Sequence, residues 1–182
     1  MSRMHTLVYF LLFVSSVYAQ PCTSYVGGEL YQYTSGLVCV CKPGYYSVNG
    51  IPACTACSAG KFVSTYRSTS CLVCPVGTYS RNALSACLQC PVGTNSASNG
   101  AISCSNCSAG KFQNITAQTT CKVCGIGEFQ PESAATTCLA CQPATYQNMS
   151  GQSMCWACKA GTYQSLSSSS TCTACGIGKY LK

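Results

Sequence analysis

Cysteine is the residue type whose number and spacing in this chain could do chemistry. The 182 residues include nineteen cysteines, and sixteen of them form eight C-x-x-C pairs between Cys54 and Cys175. Paired thiols of this kind can hold zinc, exchange disulfides in a redox enzyme, or form structural disulfides. The first question is therefore which of the three chemistries the rest of the sequence permits.

The surroundings of the C-x-x-C pairs argue against zinc and against redox catalysis. Successive pairs are about thirteen residues apart, which resembles zinc-ribbon spacing, but zinc modules come in discrete groups of four ligands and these pairs continue without a break. The single histidine is His5. A redox motif, for example at Cys155-Trp-Ala-Cys158, needs a helix N-terminus that lowers the thiol pKa, and no such helix is indicated. We expect structural disulfides, and no metal or cofactor.

Other catalytic groups are scarce. After Ala19 the chain has no histidine and no aspartate, and its only carboxylate side chains are Glu29, Glu128 and Glu132. General acid–base pairs, Ser-His-Asp triads and calcium loops all lack their components. The sequence therefore predicts no catalytic residues and a protein that is not an enzyme.

The cysteines belong to an internal repeat of sixteen or seventeen residues. Each unit reads C-x-x-G-x-aromatic, then a polar tract, then C-x-x-C, whose second cysteine opens the next unit. We number the units 1 to 9 by their opening cysteines, which are Cys41, Cys57, Cys74, Cys90, Cys107, Cys124, Cys141, Cys158 and Cys175.

The conserved places in the unit have a physical interpretation. The glycine suits a tight turn with positive φ or a close backbone approach, and the aromatic can lie against the adjacent disulfide as a small core. The polar tract is expected to face solvent, with only its length constrained. Units 4 and 7 depart from the pattern, with Asn95 in place of the aromatic and Ala144 in place of the glycine, and should be looser or turn differently. Trp156, inside a C-x-x-C, is expected to pack between adjacent units.

The N-terminal segment predicts secretion. Arg3 precedes an apolar run at residues 7–14, followed by small or apolar residues up to Ala19, which is the pattern of a cleaved signal peptide. We divide the chain into a signal peptide (1–19), an N-terminal cap segment (20–40) and tandem cysteine-rich repeats (41–182) with an incomplete last copy. No later segment is apolar enough to insert in a membrane, so an extracellular location, secreted or at the cell surface, is expected.

Composition makes disulfides necessary. Leu, Ile, Val and Phe supply only 25 of the 163 residues after position 19, too few to build a large core. The basic residues are scattered at about one per unit, and no clustered patch predicts a nucleic-acid partner.

A local pairing scheme would join the opening cysteine of each unit to the first cysteine of the next C-x-x-C, while crossed pairings that skip a cysteine remain open. The local pairs are Cys22–Cys39, Cys41–Cys54, Cys57–Cys71, Cys74–Cys87, Cys90–Cys104, Cys107–Cys121, Cys124–Cys138, Cys141–Cys155 and Cys158–Cys172, with Cys175 unpaired. The expected fold class is small and disulfide-rich: an elongated rod of tandem 16–17-residue repeats with short β-hairpins, each contacting only its neighbours, and little or no helix after the signal peptide.

The C-x-x-G-x-[YF]…C-x-x-C unit resembles the ephrin-type-receptor-like cysteine-rich repeat of the growth-factor-receptor cysteine-rich group, and is similar to the first loop of tumour-necrosis-factor-receptor modules. The resemblance covers Cys41 to Lys182. It implies one local disulfide per loop, such as Cys57–Cys71, and it specifies architecture rather than ligand.

Two functions fit this interpretation. The first is a non-enzymatic extracellular spacer or protein-interaction module at the N-terminus of a larger surface or matrix protein. The alternative is the ligand-binding ectodomain of a signalling receptor whose membrane span and effector domain lie beyond residue 182. A protein or glycan partner is expected but not identified. Sequons at Asn106, Asn114 and Asn148 predict a glycosylated surface.

Overall fold

A computed structural model describes residues 26–33, 36–48 and 53–178. The predicted signal peptide and Cys22 lie outside these residues. Every regular element in the described ranges is a β-strand, and no helix there is long and apolar enough to cross a membrane. The strands are β1 Gly28–Tyr33, β2 Gly36–Cys41, β3 Tyr45–Tyr46, β4 Thr55–Ala56, β5 Lys61–Phe62, β6 Leu72–Val73, β7 Thr78–Tyr79, β8 Leu88–Gln89, β9 Thr94–Asn95, β10 Ser105–Asn106, β11 Lys111–Phe112, β12 Lys122–Val123, β13 Glu128–Phe129, β14 Leu139–Ala140, β15 Thr145–Tyr146, β16 Trp156–Ala157, β17 Thr162–Tyr163 and β18 Thr173–Ala174.

The strands pair consecutively into antiparallel hairpins, nine of them in the described ranges. In each of units 1 to 8 the strand that follows the glycine position pairs with the strand inside the next C-x-x-C. In unit 2, for example, Lys61 lies opposite Val73 and Phe62 lies opposite Leu72. The prediction of a disulfide-rich chain of short tandem hairpins without helix is confirmed for the described residues.

The N-terminal hairpin, β1–β2, is longer than the others, with six residues in each strand. It lies against the first two units: the Lys42 amide donates to the Gly27 carbonyl at 3.1 Å, and the Tyr66 hydroxyl donates to the Glu29 carboxylate at 3.3 Å. The hairpin falls in the segment that we assign as a cap, and its capping role stays a prediction.

Two-residue strands cannot hold these hairpins together, because even longer isolated two-stranded hairpins are marginal in water. Each is instead closed by a disulfide between cysteines 13 or 14 residues apart. Closing a loop of this size contributes about 3 kcal/mol in the chain-entropy model. Within each unit, the disulfide therefore supplies the stabilisation that a hydrophobic core supplies in a larger domain.

The buried centre of the chain is a column of opening cysteines. Their exposed fraction is 0–2% in units 1 to 7, whereas the closing cysteines are half-buried. The aromatics after the glycines are also only half-buried in most units, as Phe62 and Phe112 are. The expected small core of aromatics is therefore a core of cysteine instead.

Candidate functional site

Eight disulfides lie in the described part of the chain, and they agree with the local pairing scheme. They are Cys41–Cys54, Cys57–Cys71, Cys74–Cys87, Cys90–Cys104, Cys107–Cys121, Cys124–Cys138, Cys141–Cys155 and Cys158–Cys172. Cys39 is also disulfide-bonded. Because Cys22 lies outside the described residues, the Cys22–Cys39 pair stays a prediction. Cys175 is a free thiol of intermediate exposure.

The junction between successive units is built from three backbone hydrogen bonds that recur from unit 1 to unit 8. Between units 4 and 5, the Gly93 amide donates to the Gln113 carbonyl at 2.7 Å, and the Ser96 amide donates to the Gln118 carbonyl at 3.1 Å. In the opposite direction, the Ala117 amide of unit 5 donates to the Cys90 carbonyl of unit 4 at 2.8 Å. Each opening cysteine is thereby fixed through its backbone as well as through its disulfide.

The residue equivalent to Ala117, whose amide donates to the opening cysteine of the preceding unit, has a left-handed backbone in every one of units 2 to 8. We call it the bridging residue; the seven are Arg67, Ala83, Gly100, Ala117, Ala134, Gly151 and Ser168, with φ between 57° and 73°. The left-handed conformation costs a non-glycine residue roughly 1–2 kcal/mol. The polar tract therefore contains one position with a fixed conformation, which the sequence analysis did not identify.

The six bridging residues of units 3 to 8 also reach the unit two places before their own. A Cβ atom added to Gly93 of unit 4 would lie 2.8 Å from the carbonyl carbon of Ala134 in unit 6, and the same overlap recurs for the glycines of units 1, 2, 3, 5 and 6. The expectation that units contact only their neighbours is therefore wrong. Glycine is required at this position for two reasons: its φ is positive, and the backbone of the bridging residue two units further on leaves no room for a Cβ atom.

Ala144 shows how the glycine position can tolerate a side chain. It has φ 66°, and its amide donates to the Gln164 carbonyl at 2.7 Å, as the glycines do in other units. The described residues place no bridging residue over it, because that residue would belong to unit 9. The expectation that unit 7 is looser or turns differently is wrong for this turn.

Four buried or half-buried glutamines begin the polar tracts of units 5 to 8, and each hydrogen-bonds to two backbone groups later in its own tract. Gln147, fully buried, donates from Nε2 to the Met154 carbonyl at 2.8 Å and accepts from the Met149 amide at 3.1 Å. The equivalent glutamines are Gln113, Gln130 and Gln164, each with the same two contacts. The tract is therefore not solvent-facing throughout, and its first residue supports the loop from inside.

Trp156 packs within its own unit. Its ring meets Tyr146, its partner in the β15–β16 register, edge to face with the ring centroids 5.8 Å apart. The side chain is 38% exposed. The structure thus shows a cross-strand pair within the unit, and packing of Trp156 against an adjacent unit stays a prediction.

The three predicted glycosylation residues, Asn106, Asn114 and Asn148, are all exposed. Asn106 lies in β10, and the Asn114 side chain accepts a hydrogen bond from Lys122 Nζ at 2.9 Å. Their accessibility is compatible with glycan attachment, and the modification itself stays a prediction. Among the described residues, no group of three or more His, Cys, Asp or Glu side chains could hold a metal ion.

Comparison with known proteins bears on the repeat itself. The family described as tyrosine-protein kinase ephrin type A/B receptor-like matches residues 77–119, 110–151 and 144–182. These stretches together span 77–182, which is more than half of the chain. No curated protein matches the sequence. The chain therefore belongs to the ephrin type A/B receptor-like family of extracellular cysteine-rich modules.

Proposed function

We propose that the chain is a non-enzymatic extracellular spacer that holds interaction surfaces at a fixed separation. The observation that carries the proposal is the junction described above, which repeats without interruption from unit 1 to unit 8. Disulfides fix each unit internally, and the three backbone hydrogen bonds fix each unit on the next. Contacts that extend to the second unit also oppose bending at any single junction.

Residue chemistry supports the absence of catalysis. The carboxylates in the described chain are Glu29, Glu128 and Glu132, and two of them serve local structure: Glu29 accepts from Tyr66, and Glu128 accepts from the Gly125 amide at 3.2 Å. The scarcity of acid–base groups in the sequence, with no aspartate and no histidine after Ala19, supports a non-enzymatic role.

Small-angle X-ray scattering on the secreted chain tests the spacer. A compact globule of 163 residues would have a radius of gyration of about 15 Å, and an unfolded chain about 42 Å. The spacer proposal predicts a radius of gyration well above 15 Å and a long-tailed distance distribution. It also predicts that the radius of gyration is the same at low and high salt. The reduced and alkylated chain is the matched control and should approach the unfolded value. A globular radius, or an unfolded radius with every disulfide intact, refutes the proposal.

A further inference from the structure

The sequence Ser-Ala-Gly-Lys-Phe occurs identically in units 2 and 5, and both copies line a surface recess. The recess volumes are about 330 Å³ and 450 Å³, within the range of ligand sites. We name them the first and second recess; their shared polar lining is Ser58, Lys61 and Ser70 in the first and Ser108, Lys111 and Thr120 in the second. The same set of groups is thus presented twice, fifty residues apart.

The lysines stand where most other units use a threonine that completes the local turn. In units 3, 4, 7 and 8 the residue after the glycine position donates its hydroxyl to the carbonyl of the residue three before it, at 2.7 or 2.8 Å. These residues are Thr78, Thr94, Thr145 and Thr162. Lysine has no hydroxyl and cannot make this bond, so Lys61 and Lys111 do not serve the turn in this way.

Two other lysines of the chain have partners within the protein. Lys122 Nζ donates to Asn114 and lies 5.8 Å from the Phe112 ring centroid, and Lys42 Nζ lies 5.6 Å from the Tyr45 ring centroid. Among the described residues, neither Lys61 nor Lys111 has a hydrogen bond, ion pair or ring contact through its ammonium group, and both side chains are exposed. The cations in the recesses are available to a ligand.

The charge that lines the recesses has one sign. From residue 30 to residue 127 the sequence contains six Lys or Arg residues and no Asp or Glu. Neither recess is lined by a carboxylate. A ligand that meets lysine and several hydroxyl groups in such a place must bring negative charge and hydrogen-bond acceptors.

We propose that the two recesses bind anionic groups on an extracellular acidic polysaccharide, each lysine pairing with one sulfate or carboxylate while the neighbouring hydroxyls donate hydrogen bonds. A polymer fits because the same lysine and hydroxyl groups recur in two recesses, so one polymer that reaches both gains avidity. The proposal rests on the extracellular location. It requires a glycan with anionic groups and does not depend on the length of the spacer.

Binding of defined oligosaccharides to the secreted chain tests the proposal. The probes are a sulfated heparin oligosaccharide, its desulfated counterpart and a hyaluronan oligosaccharide, measured by calorimetry at 0.15 M salt. The test variant is Lys61→Thr with Lys111→Thr, which installs the residue that other units already use. The control is Lys159→Ser, which removes an exposed charge outside both recesses. All proteins carry Asn106→Gln, because Asn106 also lines the second recess and a glycan there would cover it.

The expected result is a loss of affinity in the test variant alone. Each exposed charge pair is worth about 1.4- to 5-fold, so the double variant should bind about 2- to 25-fold more weakly, whereas the control should bind with the affinity of the parent. If the test variant loses affinity for the sulfated probe alone, the site recognises sulfate. If it loses affinity for both the sulfated and the hyaluronan probes, the site recognises anionic groups in general. No binding by the parent, or equal loss in test and control variants, overturns the proposal. Scattering and disulfide mapping on the same samples show separately whether the spacer is intact.

Discussion

Substituting Gly93 by alanine tests the contact between units two places apart. The matched control is Gly161→Ala, because Gly161 has φ 80°, close to the 78° of Gly93, but apart from its chain neighbours no atom of the described residues lies within 4 Å of its added Cβ. Both variants incur the left-handed cost of roughly 1–2 kcal/mol. Only Gly93→Ala must also displace the backbone of Ala134, which adds about 1–3 kcal/mol as for other overpacked sites.

The assay is native-state hydrogen exchange with all disulfides intact. The amide of Ala134, which donates to the Cys107 carbonyl at 2.8 Å, reports the contact in Gly93→Ala. The amide of Cys175, which donates to the Gly161 carbonyl at 2.8 Å, reports the control. The extra 1–3 kcal/mol corresponds to about 5- to 150-fold less protection at Ala134 than the left-handed cost alone produces.

Equal loss of protection in the two variants would refute the reasoning, since it would show that the second unit imposes no constraint on the glycine. The reverse substitution gives an independent check. Ala144→Gly relieves a left-handed alanine whose side chain is exposed, and it should stabilise unit 7 by up to about 1 kcal/mol, because the greater unfolded-state entropy of glycine offsets part of the gain.

Three further predictions concern side chains. Gln147→Ala should cost about 2–3 kcal/mol, because two hydrogen bonds of a buried amide are lost; an unchanged thermal unfolding temperature by circular dichroism would contradict this. Tyr146→Leu should shift the fluorescence of Trp156, the only tryptophan, and destabilise by about 0.5–1.5 kcal/mol; an identical emission spectrum would argue against the ring pair. Asn114→Gln and Asn148→Gln should each remove one glycan from the secreted protein, as measured by intact mass with and without peptide N-glycosidase.

Much of the fold follows from the spacing of the cysteines. The regular alternation of C-x-x-C and C-x-x-G predicts closed loops of constant size, and the structure has Cys57 bonded to Cys71 and Cys107 bonded to Cys121, with hairpins of two-residue strands inside them. Local spacing is sufficient here because each loop is closed within one unit.

The relation between units could not be predicted in the same way. Whether a bridging residue such as Ala134 reaches unit 4 depends on the angle between successive units. The backbone hydrogen bonds between units do not require particular side chains, and the glycine position alone does not show which backbone approaches it. A glutamine in a polar tract ordinarily indicates a solvated side chain, so Gln147 gave no sign of burial. Its recurrence after the aromatic in four consecutive units was the one available signal.

The range of the contacts between units has a consequence for biosynthesis. A disulfide closes within 14 residues, and the contacts of a unit glycine reach 42 residues along the chain, from Gly110 to Gln152. At roughly 5–20 residues per second, all the contacts of a unit can form within about 2–8 s of its synthesis. Folding can therefore proceed from the N-terminus as the chain enters an oxidising compartment, and a defect in one unit is confined to the two units on either side of it.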